Sequence, residues 1–128
     1  MTPEAAAFLG KAREFLVKAR GMQALWPDEA GRAAYLAAFH AAQALMIEQT
    51  GKAARTHRGV HVGFVQLTRT DPDLPAELRA FLGRAYNLKA IADYDTGSIP
   101  SVSPDVSTAA IETADRFVAW VASRLPGG

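Results

Sequence analysis

Residues 33 to 47, AAYLAAFHAAQALMI, run for fifteen positions without a charge, and no other stretch restricts the fold as strongly. The run is too short to cross a bilayer, which takes about 20 apolar residues. Wound as a helix it is apolar on nearly every side, which marks the most buried element of a bundle, and its alanines let neighbouring backbones come close. Tyr35, Phe39, Ala42 and Met46 fall in one row, with His40 on the adjacent stripe. A lone histidine there reads as a core residue held by a neighbour's carbonyl or hydroxyl.

The flanking sequence supplies the partners such a helix needs. Thr2, Pro3 and Glu4 form a helix start, and a helix over residues 3 to 24 follows, with Ala5, Phe8, Ala12, Phe15 or Leu16, Ala19 and Met22 inward. Trp26 and Pro27 break the pattern and restart it, so the buried helix runs from Pro27 to about Thr50, with Gly51 as its stop. Thr56 caps a third helix over about residues 57 to 69, with Val60, Phe64 and Leu67 on one side. Pro75 opens a fourth helix to about Tyr94, burying Leu78, Phe81, Leu82, Ala85, Leu88 and Ala92. Residues 95 to 102 read as a surface loop. Ser103 then caps a fifth helix with Val106, Ala110, Ala114, Phe117, Val121 and Leu125 inward.

No run alternates like a strand and the loops are short. The expectation is therefore an all-α, up-and-down antiparallel bundle of four or five helices, one domain over residues 1–128. The chain has no cysteine, which removes disulfides, thiolate nucleophiles and cysteine zinc sites. A net charge of +1 leaves any nucleic-acid role to local patches. With no membrane segment and a helix start at Met1, the chain is expected to be soluble and cytoplasmic.

Chemistry concentrates in residues 51 to 64, GKAARTHRGVHVGF. His57 and His61 lie one turn apart on one helix face. Spacing of four suits zinc, but no H-E-x-x-H and no third ligand accompany it, so no metal and no cofactor are assigned. Two readings remain open. The free amides at the helix start, with Lys52, Arg55, Arg58 and His61, form a phosphate-binding corner, or these charges only solvate a helix entry. At the end of the fourth helix Lys89 and Asp93 share a face beside Tyr86 and Tyr94. They are either a surface ion pair or a cation for phosphate with an acid or phenol beside it to move a proton.

The elements Tyr35-Leu-Ala-Ala-Phe-His-Ala-Ala, Thr56-His57-Arg58-Gly59-Val60 and Lys89-Ala-Ile-Ala-Asp93-Tyr94 together resemble the prokaryotic HEPN domain family, in the branch encoded beside minimal nucleotidyltransferases. The resemblance covers nearly the whole chain. It implies a helical bundle that pairs as a homodimer, in keeping with Trp26 and Trp120 near helix ends. It further implies RNA or nucleotide binding, and a place in a toxin and antitoxin system with a minimal nucleotidyltransferase. Toxins of this family resemble metal-independent endoribonucleases, with an arginine followed four to six residues later by a histidine. Here Lys89 and Tyr94 stand at those places, and a phenol of pKa near 10 is a poor base at neutral pH. If RNA is cut, His57 or His61 must supply the base while Lys89 and Arg58 steady the phosphate. The catalytic set expected on this resemblance is thus His57, Lys89, Asp93 and Tyr94. The rival is a non-catalytic module that hands substrate to, or restrains, the nucleotidyltransferase, and the resemblance separately implies that such a partner can modify Tyr94.

Overall fold

The computed structural model describes residues 1–94 and 102–128, and they form an all-helical bundle. Its elements are α1 (Pro3–Met22), α2 (Pro27–Thr50), α3 (His57–Leu67), α4 (Ala76–Arg79), α5 (Phe81–Tyr94) and α6 (Pro104–Ser123). Among the described residues there is no strand. The loop expected over residues 95 to 102 falls outside the described residues except at its end. There Val102 is buried rather than on the surface, with its N–H donating to Asp28 Oδ1 at 2.9 Å.

The helix starts follow from capping chemistry. The hydroxyls of Thr2, Thr56 and Ser103 accept from the amides of Ala5, Gly59 and Val106, satisfying donors that have no partner within the helix. At the other end of α2, Gly51 takes a left-handed φ of 80° and its N–H closes on the Ile47 carbonyl, a conformation that costs other residues free energy. Gly59 is needed for a different reason. A Cβ there would sit 2.8 Å from the Thr56 hydroxyl and 2.9 Å from the Ala54 side chain, pushing the cap off the helix.

The expected fourth helix is two. Ala80 turns the chain, its N–H shared between the Ala76 and Leu78 carbonyls, and a new helix begins at Phe81. The guanidinium of Arg79 donates to the Thr68 carbonyl at 2.9 Å, which ties α4 to the end of α3. Periodicity does not reveal this break, because the inward residues Leu78, Phe81, Leu82 and Ala85 continue at spacings of three and four across it. Two stripes also need correction. In α1 the buried position is Leu9, with Phe8 at the margin, and in α6 Val106 is 47% exposed because the inward face starts at Ser107 and Ala110.

The centre of the molecule is α2. It packs against α1, α3, α5 and α6, and its alanines at 30, 33, 34, 37, 38, 41, 42 and 44 are buried. Phe64, Phe117, Val60 and Val121 fill the space between these helices, each contributing about 1.5–3 kcal/mol through the apolar surface it removes from water. Trp120 belongs to this packing rather than to a free surface: it meets the Phe64 ring edge-on and lies under the Arg124 guanidinium. Trp26, by contrast, is 57% exposed. Among the described residues no helix is long and apolar enough to cross a membrane.

Candidate functional site

The polar contacts of interest converge on a tyrosine that the core would otherwise swallow. Tyr35 projects from α2 and is fully buried. Its hydroxyl lies 2.6 Å from His57 Nδ1 and 2.8 Å from His61 Nε2, both on α3. The one-turn spacing of the two histidines brings both rings to the same oxygen. Tyr86 from α5 closes the group, its ring 5.0 Å from that of His57, 5.7 Å from that of His61 and 5.6 Å from that of Tyr35. Phe39 stacks obliquely on His57 at 4.7 Å.

The electrostatics follow from this burial. Desolvation, and then the neighbouring phenol of Tyr86, push the Tyr35 hydroxyl well above its ordinary value, so it stays protonated. Burial pulls His57 below the usual imidazole range. The Lys89 charge pulls the same way and the Asp93 carboxylate opposes it. His61 is also lowered, by burial first and by His57 second. Both imidazoles are therefore neutral at physiological pH, the form in which a ring nitrogen accepts a proton.

A hydroxyl between two imidazole nitrogens has one proton to give and lone pairs to receive. When both rings are neutral, Tyr35 donates to one and accepts from the other.

Beside this trio, Asp93 bridges two cations. Arg32 Nε of α2 donates to its Oδ1 at 2.7 Å, and Lys89 pairs with its other oxygen one turn back along α5. The Lys89 bond first, and the Arg32 bond with it, hold the Asp93 carboxyl below its usual range against the opposing effect of burial.

The eight residues singled out from the sequence thus divide. His57 lies within electrostatic reach of Lys89 and Asp93, and His61 within reach of His57. Tyr94 points outward at 84% exposure, and Arg58 is exposed on α3. Lys52 and Arg55 instead line a separate hollow of about 340 Å³ with Glu4, Phe8, Gln43 and Ile47. Tyr35 and Arg32 were not among the eight. A phenol inside an otherwise apolar run was the available signal, since a buried tyrosine hydroxyl needs a partner. Nothing local announces Arg32, whose partner is 61 residues away.

His40 takes the structural role expected of it. Half-buried, it stacks on Phe15 at 5.5 Å and Phe8 at 6.2 Å, and its Nδ1 lies 2.8 Å from the side-chain carbonyl of Gln43. The Gln43 amide in turn donates to the Ala54 carbonyl at 3.0 Å, anchoring the segment that leads into α3. Among the described residues no group of three or more His, Cys, Asp or Glu converges to hold a metal ion.

Comparison with known proteins adds the lineage. The family model for the HEPN domain matches residues 5–125. The crystal structure of TT1696 from Thermus thermophilus is similar at 21% identity and a TM-score of 0.79, with 97% of this chain and 100% of that chain covered. At that identity the likeness bears on the fold alone. No curated protein matches the chain.

Proposed function

The chain belongs to the HEPN domain family, and from that premise we propose that it is a single helical domain that binds RNA or a nucleotide phosphate and acts on it through His57 and His61. The observation that carries this reading is the Tyr35 hydroxyl held between the two neutral imidazoles. An imidazole that is unprotonated near neutral pH has the free lone pair a general base needs. In metal-independent RNA cleavage a base takes the proton of a ribose 2′-hydroxyl, that oxygen attacks the adjacent phosphorus, and an acid protonates the departing 5′-oxygen. His57 and His61 fit the two proton-moving tasks, and Lys89 and Arg58 supply positive charge for the phosphate. Tyr94, in the place of the family's histidine, is spared a task its phenol suits poorly.

The test is cleavage of a labelled oligoribonucleotide in the presence of chelator. His57→Ala in a folded protein is expected to lower the rate by at least about 10²-fold, the usual share of a general base. Wild-type protein that neither binds nor cuts RNA, alone or with its genomic neighbour, overturns the reading. The same proposal includes a homodimer and membership of a toxin and antitoxin pair with a minimal nucleotidyltransferase. Light scattering reads the first, and co-purification the second.

One observation favours a non-catalytic alternative. Tyr94 stands 84% exposed at the end of α5, open to a nucleotidyltransferase that would modify its hydroxyl. Under that reading Tyr94→Phe abolishes modification by the partner, while His57→Ala leaves it intact.

A further inference from the structure

His57 and His61 each commit one ring nitrogen to the same hydroxyl, and among the described residues the other two, His57 Nε2 and His61 Nδ1, make no hydrogen bond. We propose that Tyr35 joins the two imidazoles into one acid–base unit that exchanges its acid and base ends whenever a proton passes through. This rests on the acid–base reading of the site given above.

The exchange is fixed by valence. In one arrangement His57 Nδ1–H donates to the Tyr35 oxygen and the Tyr35 proton goes to His61 Nε2. His57 Nε2 then carries a lone pair and His61 Nδ1 a proton, so His57 is the base and His61 the acid. When His57 Nε2 takes a proton from substrate, its Nδ1–H bond breaks and the proton moves to Tyr35. The Tyr35 O–H bond breaks as the new one forms, and that proton goes to His61 Nε2. His61, now cationic, releases its Nδ1 proton to the leaving oxygen.

One proton has entered and one has left, and Tyr35 is unchanged as a neutral phenol. His57 now carries its proton on Nε2 and His61 its lone pair on Nδ1, so the roles are reversed. The reversed unit suits a second step that runs the other way, such as water opening a cyclic phosphate, and that step restores the start. Tyr35 acts through the imidazoles and is a positioning residue.

Burial of the hydroxyl keeps water from replacing it as the bridge. The groups that bear on the unit are Tyr86, Lys89 and Asp93 from α5, and Arg32 and His40 from α2, with Arg32 acting through Asp93. Lys89 and Asp93 have opposing effects on His57, so neither alone sets its protonation.

The experiment is a pH series of long-range ¹H–¹⁵N spectra on the ¹⁵N-labelled full chain, which reads each ring nitrogen directly. In the wild type, the two nitrogens facing Tyr35 are expected to show complementary protonation, and the rings to titrate in two linked steps. Tyr35→Phe should turn each into a single-step titration. His61→Gln keeps a polar partner for the hydroxyl and should return His57 to one step. Wild-type rings that titrate independently, with curves that neither substitution moves, overturn the proposal.

A second arm uses oligoribonucleotide turnover, where Tyr35→Phe is expected to lower kcat by about 10²-fold with KM within about twofold. Linked titration in a protein that leaves RNA intact upholds the shared unit and removes the RNA reading. Cleavage with independent titration does the reverse.

Discussion

His40 and the His57 and His61 pair sit around α2, each half-buried against aromatic rings and each with its pKa lowered first by burial. Their partners differ. His40 meets a side-chain carbonyl, which can only accept, so its Nδ1 proton is fixed in place. The paired imidazoles meet a hydroxyl, which gives and receives, so their protons can change sides. Burial alone therefore does not distinguish a structural histidine from a chemical one. On the proposed acid–base reading, the valence of the partner does.

The most severe way to break this comparison is Tyr35→Ala, which removes the shared oxygen together with a fully buried ring. A loss of about 3–5 kcal/mol in urea-induced unfolding is expected, the range for emptying a large aromatic site, and destabilisation below about 1 kcal/mol would show that the ring is not part of the core. On the fixed side, Gln43→Ala strips the Ala54 carbonyl of its donor and His40 of its acceptor. Stability should fall by about 1–3 kcal/mol, with faster amide exchange across residues 52 to 56.

Acid sharpens the comparison for both regions together. In the unfolded chain each imidazole titrates near about 6.5, whereas His40, His57 and His61 lie below their ordinary value in the fold. Between those values the unfolded state binds more protons. Stability is thus fully present above about pH 6.5 and is lost as pH falls through the folded values. A melting temperature that does not drop over that window, with the carboxylates still ionised, contradicts the burial of these rings. The mildest change is Asp93→Asn. Because the carboxylate raises His57, its loss should move the His57 titration further down and His40 much less, with a stability change within about 1 kcal/mol for a partly exposed ion pair.

Much of this architecture was legible from short-range rules. Thr2, Thr56 and Ser103 cap as their sequence contexts imply, and Gly51 stops α2, because capping involves residues only three or four positions apart. His57 and His61 were legible as a pair for the same reason. The turn at Ala80 was not, since the inward pattern runs through it. Nor was Tyr35, because hydrophobic periodicity counts a tyrosine in an apolar row as core filling and says nothing about its oxygen. Lys52 and Arg55 looked like neighbours of the histidines by sequence, yet the turn into α3 sends them to another hollow. Proximity along a chain predicts proximity in space only within one helix.

The alanine-lined faces of α2 have a consequence for how this chain can drift over generations. With so many neighbours seated against methyl groups, a bulkier substitution at Ala38 or Ala42 would wedge an adjoining helix aside, and overfilling of this kind typically costs about 1–3 kcal/mol. The wedge would also be felt at the hydroxyl bridge, because Tyr35 projects from that same rod to reach α3. Heredity of the bridge is accordingly bound to positions that hold none of its hydrogen bonds, and a gain of bulk on α2 calls for a matching trim on the facing helix.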